Sequence, residues 1–404
     1  NSSTTGSTVT PGTITANGDP TASTDSPFDD PAGFVFGDAG DQNVIKCGSY
    51  VGNGSTDGPE INLGFEPQWL MIKCTSATGS WGIIDCMRGI VTGGNDAFSI
   101  ANGNNVDYDF DIMELTPTGF KITASGSILN TNNETFVYTA IRRSDGYVGK
   151  PPELGSGCFA MDTGAGSSTI PNFDSGFPVD FAIEKYTSGS QNWFTSARLI
   201  AKKYLETNTT AAETSSSNYV FDSNLGWRKS TGVGSDYQSW MWKRHAGFDV
   251  VVYKSDELVN GQVNHSLGKV PEMIWFKSFE AYQGWGVYHK GLNGGSNPEQ
   301  YWLRLDTTAA EGSSNPPLAS APTSTHISLL STSSFSNYSN HRYIAMLFAS
   351  VEGISKVGYF DGQNSDLTVT FGFQPRFLMV KRADSTGDWN VYDTTRGLVS
   401  GADK

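Results

Sequence analysis

One segment recurs four times along the chain and constrains its fold more than any other feature. Each copy opens with a glycine, runs through apolar residues to a lysine nine positions later, and places a tryptophan eight positions after that lysine. The first copy reads GFEPQWLMIK and then WGIIDCMRGI. A register kept four times predicts a repeated β-hairpin. Its structural positions are Gly64, Lys73 and Trp81; Gly176, Lys185 and Trp193; Gly268, Lys277 and Trp285; and Gly372, Lys381 and Trp389.

The spacing also predicts the strand register of these hairpins. A lysine opposite its tryptophan sets Met71 against Ile83 in the first copy and Met379 against Val391 in the fourth. The lysine stem would lie on the indole with its ammonium near the ring face, worth roughly 0.5 to 1 kcal/mol at an exposed site. We therefore interpret the four lysines as structural rather than ligand-binding. The seven-residue loops keep their length and vary in content, as tips presented by a rigid scaffold would.

The hairpins divide the chain into large repeats. Successive hairpin glycines are 112, 92 and 104 residues apart, far longer than a solenoid repeat. We expect a Ser/Thr/Gly-rich linker or arm over 1–43, β-sandwich units over 44–146, 147–247 and 248–350, and an incomplete fourth unit over 351–404. Each unit is expected to be a bead with its own core. Units two and three also share TTAAE, at Thr209–Glu213 and Thr307–Glu311.

The fold class follows from the hairpin strands and the composition. Consecutive side chains of a strand point to opposite faces, yet Trp69 to Ile72 and Met273 to Phe276 are apolar throughout, which predicts strands covered on both sides. Charged residues are 17% of the chain and glycines number 46, which suits a turn-rich β protein. We predict an all-β chain of tandem antiparallel β-sandwiches of jelly-roll type.

Charge and hydropathy exclude several classes of partner. A formal net charge of −14 argues against nucleic acid, which requires clustered Lys and Arg. No apolar run reaches the roughly 18 residues of a membrane span, so no membrane insertion is expected. The fourth hairpin lacks a closing strand, and we expect either that the natural protein continues past Lys404 or that another chain completes the unit.

Four cysteines, Cys47, Cys74, Cys86 and Cys158, show neither metal-site spacing nor the density of a disulfide scaffold. The hairpin register places Cys74 opposite Ser80, away from Cys86. We expect all four thiols to be reduced.

Motifs of hydrolytic nucleophiles, phosphate loops, dinucleotide sites and zinc helices are absent from the sequence, and no cofactor is expected. The five histidines occupy unmatched repeat positions and are interpreted as surface or turn residues: His245, His265, His289, His326 and His341. The loops Gly52–Gly58 and Tyr359–Asp366 carry oxygen-bearing side chains but no spaced carboxylates, so they are interpreted as turns and no metal site is assigned.

One acidic segment offers a catalytic alternative. Asp109, Asp111 and Glu114 stand in the order D-x-D-x-x-E, which is similar to the carboxylate strand of sandwich-fold glycoside hydrolases. Against it, an Asp replaces the usual first Glu, the other units lack the motif, and Asp107 adds like charge. An acidic loop or a cation-binding turn is the favoured interpretation, and the chain is expected not to be an enzyme.

Aromatic residues in the third hairpin loop offer a different site. Phe279 and Tyr282 could stack on sugar rings, which makes them glycan-binding candidates; packing in a core or an interface is the favoured alternative.

The amino-acid sequence of the repeats resembles that of a known group of proteins. The segments KCGSYVGNGS, LGFEPQWLMIK, AIRRSDGYVGKPP, WMWKRHAGFDVVVY, VPEMIWFK and FGFQPRFLMVKR resemble the tandem domains of marine bacteriophage tail-fibre and appendage virion proteins. The likeness covers about residues 30 to 404. It implies concanavalin-like sandwiches, a structural role in the virion and contact with host glycans, and supplies no catalytic motif.

These observations give three hypotheses. The first is a structural phage protein, a homo-oligomer assembled in the host cytoplasm with other virion proteins and contacting host-surface glycans. The second is a sandwich-fold glycoside hydrolase, and the third is a bacterial surface adhesin.

Overall fold

A computed structural model describes residues 44–126, 128–145, 154–280 and 283–398. Within them the chain is all-β and of sandwich type, built from antiparallel sheets joined by turns. The predicted arm over 1–43 lies outside the described residues. The helical segments are short 3₁₀ turns, at Gly155–Gly157, Arg198–Ile200, Ser255–Glu257, Val259–Gly261, Leu292–Gly295 and Pro298–Gln300.

The first unit (44–146) has two sheets. The larger is six-stranded, in the order β1-β9-β3-β4-β5-β6, and the smaller is three-stranded, in the order β2-β8-β7. The strands are β1 (Ile45–Val51), β2 (Glu60–Asn62), β3 (Pro67–Cys74), β4 (Trp81–Asp85), β5 (Asp96–Ile100), β6 (Tyr108–Phe110), β7 (Met113–Thr116), β8 (Gly119–Ile122) and β9 (Thr135–Arg142).

The second unit (147–247) repeats the strand order of the first in its large sheet, β10-β17-β12-β13-β14-β15, beside a two-stranded sheet of β11 and β16. Its strands are β10 (Phe159–Thr163), β11 (Phe173–Asp174), β12 (Phe181–Tyr186), β13 (Trp193–Ala197), β14 (Lys203–Glu206), β15 (Thr214–Ser215), β16 (Gly226–Trp227) and β17 (Tyr237–Trp242).

The third unit (248–350) repeats the order with five strands, β18-β24-β20-β21-β22, and has a small sheet of β19 and β23. Its strands are β18 (Phe248–Lys254), β19 (Gln262–Asn264), β20 (Met273–Ser278), β21 (Gly286–His289), β22 (Leu303–Arg304), β23 (His326–Ser328) and β24 (Arg342–Phe348). In each of the three units, the opening strand pairs with the closing strand, and the closing strand pairs with the hairpin.

The described part of the fourth unit, residues 351–398, contains the hairpin of β25 (Phe377–Lys381) and β26 (Trp389–Asp393). The segment Ile354–Asp366, which resembles the opening of the first unit, forms no named strand here; within it, Ser355 forms an isolated bridge with Val351, which precedes the segment.

The hairpin register is the predicted one. Lys73 pairs with Trp81 and Met71 with Ile83 in the first hairpin, and Lys185 pairs with Trp193 in the second. In the fourth, Lys381 pairs with Trp389. The predicted register is therefore confirmed in the first and fourth hairpins. It arises because the side-chain period of two and the loop length allow only this alignment.

The largest hydrophobic core crosses the unit boundaries, so the expectation that each unit is a separate bead with its own core is wrong for this core. One cluster lies within the second unit around Trp227 and one within the third around Tyr343. The largest joins buried residues of units one, two and three, and Phe377 and Met379 of unit four pack against it. The units are thus fused through shared apolar surface, which stabilises their arrangement by the burial of apolar area.

Double burial of the hairpin strand holds for the third unit and fails for the first. Ile274 and Phe276 face the core of the third unit, whereas Trp275 on the opposite face belongs to the shared core. In the first unit Leu70 and Ile72 are fully buried, but Trp69 and Met71 are half-exposed.

Candidate functional site

The third hairpin attaches the third unit to the second through main-chain acceptors. The Trp285 indole Nε1 donates to the Glu206 carbonyl oxygen at 2.8 Å, and Lys277 Nζ donates to the Thr210 carbonyl oxygen at 3.0 Å. The Glu213 N–H donates to the Phe279 carbonyl oxygen at 2.9 Å. Two of these partners, Thr210 and Glu213, belong to the shared TTAAE segment.

The fourth hairpin attaches to the third unit with the same three contacts at equivalent positions. The bonds run from Trp389 Nε1 to the Arg304 carbonyl (2.9 Å), from Lys381 Nζ to the Thr308 carbonyl (3.2 Å), and from the Glu311 N–H to the Ala383 carbonyl (2.8 Å). A contact set duplicated in this way defines a docking mode between consecutive units. The second TTAAE copy supplies its acceptor and donor.

The hairpin lysines also fix the hairpin tips. Lys73 Nζ donates to the Gly79 carbonyl at 2.7 Å and Lys277 Nζ donates to the Gln283 carbonyl at 2.6 Å. Lys185 reaches the Gln191 carbonyl, again six positions on. The predicted cation–π geometry appears at Lys185, whose Nζ lies 5.9 Å from the Trp193 ring centroid. These contacts agree with a structural role for the lysines.

Burial distinguishes one of these lysines. Lys277 has no exposed surface, and its burial lowers the pKa to about 8 despite the nearby carboxylate of Asp306. The two carbonyl acceptors of Lys277 stabilise its ammonium only in part, because a buried charge loses the hydration that it has in the unfolded chain.

A cleft lies where the hairpins of units two, three and four converge, with a volume of about 310 Å³. We call it the inter-unit cleft. Its lining residues come from all three units: Ile183, Trp193, Thr207, Asn208 and Trp240; Trp275, Leu305, Asp306, Thr307 and Thr308; and Phe377, Met379, Asp388, Trp389 and Val391.

Five aromatic residues line the inter-unit cleft: Trp193, Trp240, Trp275, Phe377 and Trp389. Trp193 stacks on Trp240 with ring centroids 5.3 Å apart and an interplanar angle of 18°. Trp193 and Trp389, which occupy the same position of two repeats, are both half-exposed, whereas Trp240 and Trp275 are almost fully buried. Two ring systems are therefore available to a ligand, on a rigid support of buried tryptophans.

Polar groups lie at the margin of the inter-unit cleft. Asp306 is committed to structure, since its Oδ1 accepts the Trp285 N–H at 2.9 Å and its Oδ2 pairs with Arg304 at 2.5 Å. Asp388, by contrast, is exposed on the fourth hairpin loop. Aromatic walls with a few polar groups are the usual composition of a small-ligand site, and this volume lies at the small end of the range, roughly 300 to 1,000 Å³.

A buried cluster of charges joins the first unit to the second and third. Arg143 Nη2 lies 2.9 Å from Asp249 Oδ1, and Arg244 Nη1 lies 2.6 Å from Glu66 Oε1. Arg143 Nε and Glu66 Oε1 close the cluster at 3.3 Å. Burial alone would raise the pKa of Asp249, but Arg143 and Arg244 outweigh it and lower that pKa. The ionised carboxylate is therefore part of the junction.

The three carboxylates of the catalytic alternative do not share a strand. Asp109 lies on β6 of the large sheet and pairs with Lys202 at 3.2 Å, whereas Glu114 lies on β7 of the small sheet. Asp111, between the two strands, accepts the Thr123 hydroxyl at 2.5 Å. Glu114 Oε1 accepts the Gly93 N–H at 3.0 Å, and burial raises the pKa of Glu114. The single carboxylate strand that the catalytic alternative requires is thus not formed, because the chain crosses between sheets at this point.

The two glycan-binding candidates of the third hairpin loop differ in status. Phe279 has no exposed surface and lies in the shared core with the Arg342 guanidinium 5.6 Å from its ring centroid, so packing is confirmed and sugar stacking at this residue is ruled out. Tyr282 lies outside the described residues.

Three histidines serve as turn residues, as interpreted from the sequence. The Nδ1 atoms of His245, His265 and His289 each accept the N–H two residues on. Burial lowers the pKa of His245 and of His289 to about 4, so both rings are neutral near pH 7.

The two oxygen-rich loops behave as turns. Asn53 Oδ1 accepts the Ser55 N–H at 3.0 Å, and Asp57 pairs with Lys121 at 2.9 Å. In the second loop Gln363 Nε2 donates to the Asp366 carbonyl at 2.8 Å. Among the described residues, no group of three or more His, Cys, Asp or Glu side chains is placed to hold a metal ion.

The four cysteines are free thiols, exposed at Cys47, half-buried at Cys86 and buried at Cys74 and Cys158. Cys74 pairs with Phe136 on β9, and the Cys86 N–H donates to the Gln68 carbonyl, so the two hairpin cysteines do not face each other. No helix within the described ranges has the length and apolar character needed to cross a membrane.

Sequence reasoning missed the inter-unit cleft, whose walls combine residues about 200 positions apart. The available signal was the pair of features that meet there, namely the repeated tryptophan and the shared TTAAE segment. From the sequence, the tryptophan was interpreted as a contact within its own hairpin and the TTAAE segment as a sign of repetition, so neither indicated a contact between units.

Comparison with protein families gives one result of wide coverage. A family model described as "Domain of unknown function (DUF7483)" matches residues 6–144 and 161–404. No curated protein and no solved structure matches the chain.

Proposed function

The chain belongs to the DUF7483 family, whose description states no activity, and we propose that this protein is a structural component of a bacteriophage particle that contacts host-surface glycans. The proposal follows the resemblance of the repeats to phage appendage proteins. The duplicated docking contact between consecutive units carries its structural part. A protein that transmits force or positions other subunits requires units held at fixed orientations, and repeated tryptophan and lysine contacts hold them so.

The inter-unit cleft supports the glycan contact. A pyranose ring presents an apolar C–H face that stacks on an indole, and its hydroxyls require polar partners at the rim. Trp193 and Trp389 offer the faces, and Asp388 and Asn208 line the same cleft. Because three units form the walls, the cleft exists only when the units are docked, which links recognition to the assembled block.

Localisation tests the structural part of the proposal. Purified phage particles would be labelled with antibodies against this chain and viewed by electron microscopy, with the chain verified by mass spectrometry of the same particles. Label on a particle appendage is the expected result. Label on the host cell surface without phage would replace the proposal by an adhesin. Release of reducing sugar that is abolished by Glu114→Gln would replace it by a hydrolase.

Binding tests the glycan part separately. The intact chain would be applied to a glycan array, and any bound oligosaccharide measured by calorimetry, which reports affinity per site. Trp193→Ala removes a ring face without removing an inter-unit hydrogen bond, and we expect affinity to fall about tenfold. Trp81→Ala, at the equivalent position of the first unit and outside the cleft, is the matched control. A blank array, or equal affinities of both variants, would exclude the cleft as a glycan site.

A further inference from the structure

The first unit leaves uncovered the sheet face that the other units bury. Met71 pairs with Ile83, Lys73 with Trp81, and Trp69 with Ile141, which places their side chains on one side of the large sheet. Ile45 on the edge strand lies opposite Ile141 on that same side. We call this side, with Ile45, Trp69, Met71, Trp81, Ile83 and Ile141, the open face.

The open face of the first unit is more exposed to solvent than the equivalent sheet faces of units two and three. Ile45 is 59% exposed and Trp81 is 39% exposed, and Met71 is half-exposed. The residues at the Met71 position in units two and three are Ile183 and Trp275, which are 7% and 2% exposed. Apolar side chains left exposed together on one sheet face mark an interaction surface.

The other units show what covers such a face. Phe181 of unit two lies 6.5 Å from Trp275 of unit three, and Phe377 of unit four lies 5.8 Å from Trp242 of unit two, as distances between ring centroids. In each case the hairpin face of one unit is covered by the corresponding sheet of another. The surface complementary to a hairpin face of this repeat is therefore a second hairpin face of the same repeat.

We propose that the open faces of three copies of this chain pack together. The hairpin faces of three first units would then meet between chains, as the hairpin faces of units two, three and four meet within one chain. Closed symmetry is the usual arrangement of identical chains, and it leaves no hairpin face unpaired. This inference concerns a surface remote from the glycan proposal and does not depend on it.

The repeat also predicts the hydrogen bonds across this interface. The main-chain N–H of Trp81 donates to Asn102 Oδ1. In the same way, the main-chain N–H groups of Trp193 and Trp285 donate to the side chains of Asn208 and Asp306. This alignment makes Ile100 equivalent to Glu206 and Asn104 equivalent to Thr210. Trp81 Nε1 would then donate to the Ile100 carbonyl of a neighbouring copy, and Lys73 Nζ would donate to its Asn104 carbonyl.

The mass of the full chain in solution tests the proposal. Light scattering coupled to gel filtration is expected to give three times the chain mass of 43.5 kDa. Met71→Asp places a charge on the open face, and Ile45→Asp does so at an edge position where the unit's own core is untouched. Both variants are expected to shift the mass to a single chain. Val106→Asp, at an 87% exposed position of the same unit, is the control and should remain trimeric.

The exposed thiol of Cys47 reports coverage of the same face, because it lies on β1 between Ile45 and Ser49. Its labelling by a maleimide is expected to be slow in the wild-type trimer and fast in Met71→Asp, with unfolding temperatures compared to confirm that both are folded. A wild-type chain that is monomeric at all concentrations overturns the proposal. Protection of Cys47 in a monomer would mean that residues 1–43 cover the face instead, and would overturn it equally.

Discussion

The first and third units carry the same hairpin but join the rest of the molecule in different ways. The third docks through its hairpin, with Trp285 and Lys277 bonded to carbonyls of the second unit. The first is joined by Glu66 and Arg143, buried among charges of the other two units, while its hairpin face stays uncovered. The repeated hairpin residues thus specify a local structure, and the neighbouring units determine which face of the hairpin is buried.

The two junctions differ in what holds them. A hairpin junction combines apolar burial with neutral or single-charge hydrogen bonds to the main chain, and removing one of these bonds costs about 1 to 3 kcal/mol. A junction of buried ion pairs depends on every member, because removing one leaves its partner charged without compensation in a medium of low polarity. The first unit should therefore be the more sensitive to single substitutions at its attachment.

The largest effect is expected at the charge cluster. Asp249→Ala leaves Arg143 and Arg244 buried without their shared carboxylate, which should lower the free energy of unfolding by about 3 to 5 kcal/mol. Urea unfolding measures the loss, and amide exchange should rise in the 86–95 loop that contacts the second unit. Asp384→Ala breaks an exposed pair with Arg382 and serves as the control, with no measurable change expected. Equal losses in the two variants would show that the cluster does not carry the junction.

A smaller effect is expected from pH at the hairpin junction. The folded-state pKa of Lys277 is lowered by burial to about 8, whereas an unfolded lysine titrates near 10.5. Between these values the unfolded chain binds more protons, so stability rises as pH rises from about 8 to 10.5, by at most about 3 kcal/mol. Lys277→Met should remove that rise. Unfolding curves of wild type and variant collected across this range check it, and parallel pH dependence would contradict a buried charged lysine.

Much of each unit could be predicted from the sequence because the determinants are local. The pairing of Lys73 with Trp81 follows from loop length and the two-residue period of a strand, and the opening and closing strands follow from alternation of apolar residues. The free thiols of Cys74 and Cys86 and the turn role of His245 likewise depend on near neighbours.

The relations between units could not be predicted in this way. Packing of Phe279 in a core or an interface was the favoured interpretation, but the sequence did not show that its neighbours include the preceding unit, whose Glu213 N–H bonds to the Phe279 carbonyl. Nothing in the local sequence of Glu66 indicates its ion pair, because its partner Arg244 is 178 positions away. Such contacts depend on how whole units dock, and a single sequence carries only an indirect trace of that docking in the shared TTAAE segment.

The smallest effect compares the two tryptophans directly. Trp285→Phe removes the indole N–H and leaves the Glu206 carbonyl without its donor, which should cost about 2 kcal/mol of unfolding free energy. Trp81→Phe changes the same residue type at the same repeat position, where the indole is partly exposed, and should cost less than about 0.5 kcal/mol. Both substitutions would be measured in a Met71→Asp background, so that no neighbouring copy covers the first hairpin. A gap between the two losses means that the docked hairpin draws stability from the neighbouring unit; similar losses would mean that the tryptophan acts within its own hairpin in every repeat, and that the docking bonds contribute little.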